Sequence, residues 1–371
     1  MSERKAINSL KRVVIKIGSS SLTGSDGAGL NPTAVDALVD SVAKLRKSGA
    51  EVAIVSSGAI AAGLNPLGLT TRPKDLATQQ AAASVGQGLL VHRYTESLAR
   101  YSLIGSQVLL TIDDVVRRSH YQNAQRTLNK LLGLGVVPII NENDSVGTQE
   151  IRFGDNDRIA ALVSHLLGAD LLILITDVAG LYDAPPSSTS AKLISEVSDL
   201  NSLSALNIGG AGSKVGSGGM VTKIEAARIA TGAGIPMLLT SLEKLPEALN
   251  GAAVGTWFKS VSEKKSSRLL WLAHAALPHG SLHVDEGAAV ALRERGVSLL
   301  PAGVTKVEGE FTAGDTVELV APDGTVIAKG LVGFDSIEIP AMLGKSTKDL
   351  ARDLGPEFER ELVHRDDLVL L

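Results

Sequence analysis

The 371-residue chain contains no cysteine, which excludes a disulfide framework, a thiolate metal site and a thiol nucleophile. Aromatic residues make up only 3%, so few side chains could stack on bases, and a net charge of -4 gives no electrostatic footprint for nucleic acid. No run approaches the ~20 apolar residues of a membrane span. The N-terminus is charged (Glu3, Arg4, Lys5, Lys11, Arg12), but the apolar run 13–17 behind it is short and interrupted by Lys16, unlike a signal peptide. A soluble cytoplasmic protein with no membrane or nucleic-acid partner is therefore expected. Familiar catalytic signatures are missing too. The seven histidines show no HExxH spacing for zinc, no Ser-His-Asp set is suggested, and neither a GxxxxGK[ST] loop nor a GxGxxG after the first strand occurs.

What is present reads as two domains, since the length exceeds what one core usually serves. From residue 12 onward, short apolar runs alternate with segments of 3.6-residue periodicity. Strands are predicted at 12–18, 51–56, 103–111, 136–140, 170–176 and 236–239, and helices at 32–49, 75–101, 121–134, 157–167 and 220–231. This alternation predicts an α/β domain, a mainly parallel sheet sandwiched by helices, over residues 1–258. The polar stretch 259–267 (KSVSEKKSS) reads as a linker. Residues 268–371 change to short β-like runs at 281–284, 303–307, 316–320 and 326–332, a small mostly-β domain. That tail carries 10 Lys/Arg against 17 Asp/Glu, so the positive balance lies in the α/β part.

Chemistry gathers where strands end. The run 136–140 stops abruptly in Asn141, Glu142, Asn143 and Asp144, at the carboxyl end where open α/β sheets place ligands. A dozen residues on, Asp155, Asn156 and Asp157 precede a helical pattern, so amides and carboxylates also collect at a helix N-terminus. Lys16 sits inside the first strand, where an unpaired ammonium is costly, and Gly18 with the serines after it offers donors for phosphate oxygens. A second glycine-rich turn, 216–219, feeds a helix whose first turn carries Lys223. Two lysines, two glycine-rich turns and several polar groups at strand ends describe phosphoryl transfer, which needs positioning and charge neutralisation more than covalent chemistry. No general base is evident, which fits an acceptor already ionised, such as a carboxylate with pKa near ~4.3.

The segments VVIKIGSS (13–20), VSSGAIAAG (55–63), PIINENDSV (138–146), FGDNDRIAAL (153–162), LITDVAGLY (174–182) and GSGGMVTK (216–223) closely resemble the amino acid kinase family, in its branch that phosphorylates glutamate. VDEGAAVAL (284–292), SLLPAGV (298–304) and EFTAGD (310–315) resemble the C-terminal PUA domain of that branch. The resemblance implies ATP-dependent phosphorylation of the γ-carboxylate of L-glutamate, the first step of proline synthesis. Mg2+, feedback inhibition by proline, glutamyl phosphate reductase as a partner and homo-oligomer formation come with it. By the same resemblance Lys16 neutralises the transferring group, Lys223 holds the nucleotide's phosphates and Asp157 orients both lysines. Ser57, Asp144 and Asn156 match glutamate-binding positions, with Asp144 suited to the α-ammonium. Lys16, Thr176, Asp177, Ser217, Gly218, Gly219, Met220, Val221, Thr222 and Lys223 match nucleotide contacts, although SGGMVTK stands where TGGMSTK is expected, so Val221 removes a polar group. Two other readings are an RNA-binding PUA protein with a degenerate kinase core and acetylglutamate kinase. The net-acidic tail weighs against the first, because nucleic-acid affinity rests on cationic contacts. Asp144 weighs against the second, whose substrate has no free α-ammonium.

Overall fold

The computed structural model describes residues 10–23, 29–111, 114, 118–145, 156–186, 188, 190–205, 219–260, 272 and 278–371. It divides into two compact units, Met1–Lys265 and Ser266–Leu371. In the first unit the elements run β1 (Arg12–Ile17), α1 (Ser19–Leu22), α2 (Pro32–Lys47), β2 (Glu51–Ser56), α3 (Ala59–Leu64), α4 (Leu76–Ala99), β3 (Gly105–Leu110), α5 (Arg118–Gly133), β4 (Val137–Glu142), α6 (Asn156–Leu167), β5 (Leu171–Thr176), β6 (Glu196–Val197), α7 (Met220–Gly232), β7 (Met237–Ser241), α8 (Leu245–Leu249) and β8 (Thr256–Phe258). The strands form one sheet in the order β3-β4-β2-β1-β5-β7-β8-β6, parallel except where β8 runs antiparallel to β7. Continuous apolar runs such as LLILI suit this sheet, because interior parallel strands are covered on both faces.

β1 lies at the middle, with Lys16 opposite Val55 of β2 and Leu174 of β5. The carboxyl ends of β1, β2, β4 and β5 therefore open side by side, β1 followed by Gly18 and the other three by the polar residues Ser57, Asn143 and Asp177. Local signals set the helix ends. The side chain of Asn31 accepts hydrogen bonds from the N–H groups of Thr33 and Ala34, Pro32 occupies the first turn of α2, and Gly49 ends the segment at φ +91°. Asp75 caps the 24-residue α4 by accepting from Thr78 N–H at 2.8 Å. Helix α3, which the sequence reading passed over, is a six-residue run starting directly after the turn at Ser57 and Gly58. It touches α4 backbone to backbone: a Cβ at Gly63 would lie 2.0 Å from the carbonyl oxygen of Ala82, and one at Gly86 only 1.8 Å from that of Ala59.

In the second unit the sheet order is β10-β9-β11-β12-β13, built from β9 (Gly280–Val284), β10 (Val304–Gly309), β11 (Thr316–Val320), β12 (Val326–Val332) and β13 (Val363–Leu370). Its core gathers Leu282, Leu319, Ala328 and Leu350. The strand at 363–370 and two helices, α9 (Glu286–Arg295) and α10 (Thr347–Leu354), are additions to the expected elements. Their starts carry a recognisable signal: Asp285 accepts from Ala288 N–H at 2.6 Å, and Ser346 accepts from Asp349 N–H at 3.2 Å. The polar stretch 259–267 falls mostly outside the described residues. Lys259 still belongs to the sheet edge, donating its N–H to Val197 and pairing with Glu196 at 2.6 Å.

Candidate active site

Lys16 is only 3% exposed, so its ammonium does not escape to water as that of an edge lysine would. Its side chain turns toward the strand's end, where a Cβ on Gly18 would lie 3.6 Å from its Nζ, at ordinary contact distance. The ammonium pairs with Oδ1 of Asp157, a carboxylate fully buried in the first turn of α6. Lys223, in the first turn of α7 and 7% exposed, donates to the other oxygen, Oδ2, at 3.0 Å. Thr222 donates its hydroxyl to Gly219 O at 2.8 Å and lies 3.2 Å from the same Oδ2. One carboxylate thus holds two ammonium groups, one on each oxygen, and the cluster of two lysines and one aspartate keeps one net positive charge. Burying such a cluster is costly unless it is well paired, and its surplus charge suits a polyphosphate.

Asn156 immediately precedes Asp157 and faces other partners. Its amide Nδ2 donates to the hydroxyl of Ser57 at 2.8 Å and to Oδ1 of Asn141 at 2.9 Å. Asn141, 1% exposed at the end of β4, also accepts from Glu142 N–H at 2.9 Å and donates its own amide to Oε1 of Gln87 on α4 at 2.8 Å. Ser57 belongs to a turn that Gly58 makes possible at φ +103°, and its N–H donates to Ile17 O at 3.1 Å, locking the ends of β1 and β2 together. Behind that turn Ser56 shares a 3.0 Å hydrogen bond with the hydroxyl of Tyr94, also from α4. Complete burial pushes the Tyr94 phenol well above the usual tyrosine range, partly offset by Ser56, so it stays a neutral hydrogen-bonding group.

Asp144 follows in the half-buried turn after β4, where Asn143 N–H donates to Leu110 O at 2.9 Å. Thr176 ends β5 beside β1 and donates to Asp177 at 3.0 Å. Gly219 is the extended residue before α7, Met220 is half-buried, and Val221 is 65% exposed. Ser217 and Gly218 lie outside the described residues. The structure thus joins Lys16, Asp157, Thr222 and Lys223 in one contact cluster, and Asn156 with Ser57 in a second. Asn141 was legible only as part of a polar strand end. Gln87 and Tyr94 carried no local signal, being 54 and 38 residues from their partners along the chain.

The model of the amino acid kinase family matches residues 11–241 and that of the PUA domain residues 280–354. Curated relatives named glutamate 5-kinase match end to end. The one from Streptomyces coelicolor is 58% identical over 369 residues, covering 99% of this chain and 98% of the relative. The one from Bifidobacterium adolescentis is 51% identical over 369 residues, with 99% and 98% covered. Among solved structures, carbamate kinase from Giardia lamblia bound to AMP-PNP overlays with a TM-score of 0.51 at 19% identity, covering 68% of this chain and 99% of that one, a likeness of fold alone.

Proposed function

We infer, for a chain that belongs to the amino acid kinase family and within it to the glutamate 5-kinases, that Asn156 and Asp157 mark the place where its two substrates meet. The protein is an ATP-using kinase acting on L-glutamate, the first step of proline biosynthesis. The observation that carries the division of roles is the adjacency of these two side chains, one bonded to Ser57 and Asn141, the other to Lys16 and Lys223.

In this reading the γ-carboxylate of glutamate lies on the Ser57 and Asn156 side, and the terminal phosphoryl group of ATP lies against Lys16. A carboxylate oxygen attacks the γ-phosphorus. The new O–P bond forms as the bond to the ADP oxygen breaks, and no proton leaves the nucleophile, because a carboxylate with pKa near ~4.3 is already ionised at neutral pH. Lys16 neutralises the transferring group, and Lys223, with Thr176, Asp177 and the segment 217–222, holds the rest of the nucleotide. Asp157 keeps both ammonium groups in place. Asp144 pairs with the α-ammonium.

Among the described residues no group of three or more metal-ligating side chains converges, and Asp157 is occupied by two lysines. Mg2+ would arrive with the nucleotide and offset part of its phosphate charge. L-Proline, which shares the α-amino acid group of the substrate, is the end-product inhibitor in this reading. Glutamyl phosphate reductase is the enzyme that consumes the product, and the protein works as a homo-oligomer in the cytoplasm. Among the described residues no helix is long and apolar enough to cross a membrane. Full-length likeness to glutamate 5-kinases favours neither acetylglutamate kinase nor an RNA-binding protein with a degenerate core.

Trapping of the acyl phosphate by hydroxylamine tests the assignment. L-Glutamate with ATP and Mg2+ should yield hydroxamate and N-acetylglutamate little; faster turnover of the acetylated substrate would sink it. For Asp144→Asn, loss of a charge-assisted contact should cost about 1.5 to 3 kcal/mol in kcat/KM, mostly through KM for glutamate. A shift in KM for ATP instead would move Asp144 to the nucleotide side.

A further inference from the structure

Helix α4 reaches the acceptor side through Gln87, and the direction of the hydrogen bonds there carries information. A backbone N–H can only donate, so the 2.9 Å bond from Glu142 N–H identifies the Asn141 atom facing it as the carbonyl Oδ1. The other end of that side chain is then the amide Nδ2, which donates to Gln87 Oε1 at 2.8 Å. Because Oδ1 of Asn141 is an acceptor, the Asn156 atom 2.9 Å away is a donor, Nδ2, and the same Nδ2 donates to Ser57 Oγ at 2.8 Å. Ser57 therefore receives a hydrogen bond from Asn156, and among the described residues its own hydroxyl donates none. The chain of amides from Gln87 to Asn141 to Asn156 to Ser57 has one sense. It ends in a hydroxyl with a proton left to give, which is the complement of a carboxylate.

We propose that Gln87 is a positioning residue for the acceptor substrate: by accepting from Asn141 Nδ2 it holds in place the relay whose sense the Glu142 N–H sets, so that the Ser57 hydroxyl is turned out as a donor to the γ-carboxylate. Asn141 is 1% exposed and Gln87 7%, so water cannot easily replace the bond. Without the acceptor, Asn141 Nδ2 is left buried and unpaired, and any turn that relieves it pulls Oδ1 against its bonds from Glu142 N–H and Asn156. A reversed Asn156 would accept from Ser57 and consume the proton that the substrate needs. The close approach of Gly86 to Ala59 brings α4 near enough for the neighbouring Gln87 to make this contact.

The inference rests on the reading that Ser57 and Asn156 face glutamate, and wild-type hydroxamate formation tests that reading separately. Gln87→Leu in the full-length protein should raise KM for L-glutamate about tenfold, with KM for ATP within about twofold of wild type, as expected for the loss of one hydrogen-bonded orientation. Gln87→Glu, whose carboxyl oxygen still accepts from Asn141, should restore most of the glutamate KM. In a double-mutant cycle, Ser57→Ala should add little to Gln87→Leu, since the two act through one chain. Should Gln87→Leu fail to fold, Gln87→Asn withdraws the same acceptor by one methylene and replaces it throughout. An unchanged KM for glutamate, parallel changes in both KM values, absence of rescue by glutamate at position 87, or additive effects with Ser57→Ala would each overturn the proposal.

Discussion

Lys16→Ala should lower kcat at least ~10²-fold while changing KM for glutamate and ATP much less, because the ammonium matters most while the phosphoryl group is in flight. The substitution is also expected to leave the fold standing. Asp157 keeps Lys223 as a partner, so no uncompensated carboxylate is left in the interior. Steady-state kinetics with hydroxamate detection measures both parts. Normal kcat would reduce Lys16 to a structural counter-ion of Asp157, and an unfolded variant would show that the pair is needed for folding first.

Asp157→Asn should act in the opposite way, on stability as much as on rate. The amide has the shape of the carboxylate but leaves Lys16 and Lys223, 3% and 7% exposed, close together with no negative charge between them. Removing one member of a buried ion pair costs about 3 to 5 kcal/mol, so the free variant should unfold at markedly lower temperature or denaturant concentration. A polyphosphate supplies the missing negative charge. ATP or ADP should therefore raise the melting temperature of Asp157→Asn by more than that of the wild type, while kcat falls because the lysines are no longer aimed. Equal stabilisation of both proteins by nucleotide would place the phosphates away from the two lysines.

How far the sequence revealed these features depends on whether each signal was local. Lys16 stood out because an ammonium inside VVIKI contradicts its surroundings, and Asp157 because it opens a helix beside other polar residues. Parallel strands such as β4 and β5 were legible from their apolar runs, whereas the two-residue β6 was not. β8 is only three residues long, too short for periodicity to register. The pairing of Gln87 with Asn141 is set by the crossing of α3 and α4, which depends on two glycines whose neighbours lie on another helix. Such contacts have no one-dimensional signature; an Ala- and Gln-rich helix reads the same whether or not a polar residue on it reaches a strand end.

The contact between α3 and α4 bears on how the Ser57-Gly58 turn responds to force. Ordinary helix interfaces yield because side chains hop between rotamers and absorb small displacements. At Gly63 and Gly86 each helix meets the other's carbonyl groups directly, so this compliance is missing. A tilt of α4 would press directly on the backbone of Ala59, next to the Ser57-Gly58 turn. The same helix is tied farther along to the surface of α2, where Arg93 meets Asp36 at 2.5 Å and Arg100 meets Asp40 at 2.7 Å. The Ser57-Gly58 turn and the partly exposed charge cluster on α2 are thus joined through one helix with a rigid contact between them.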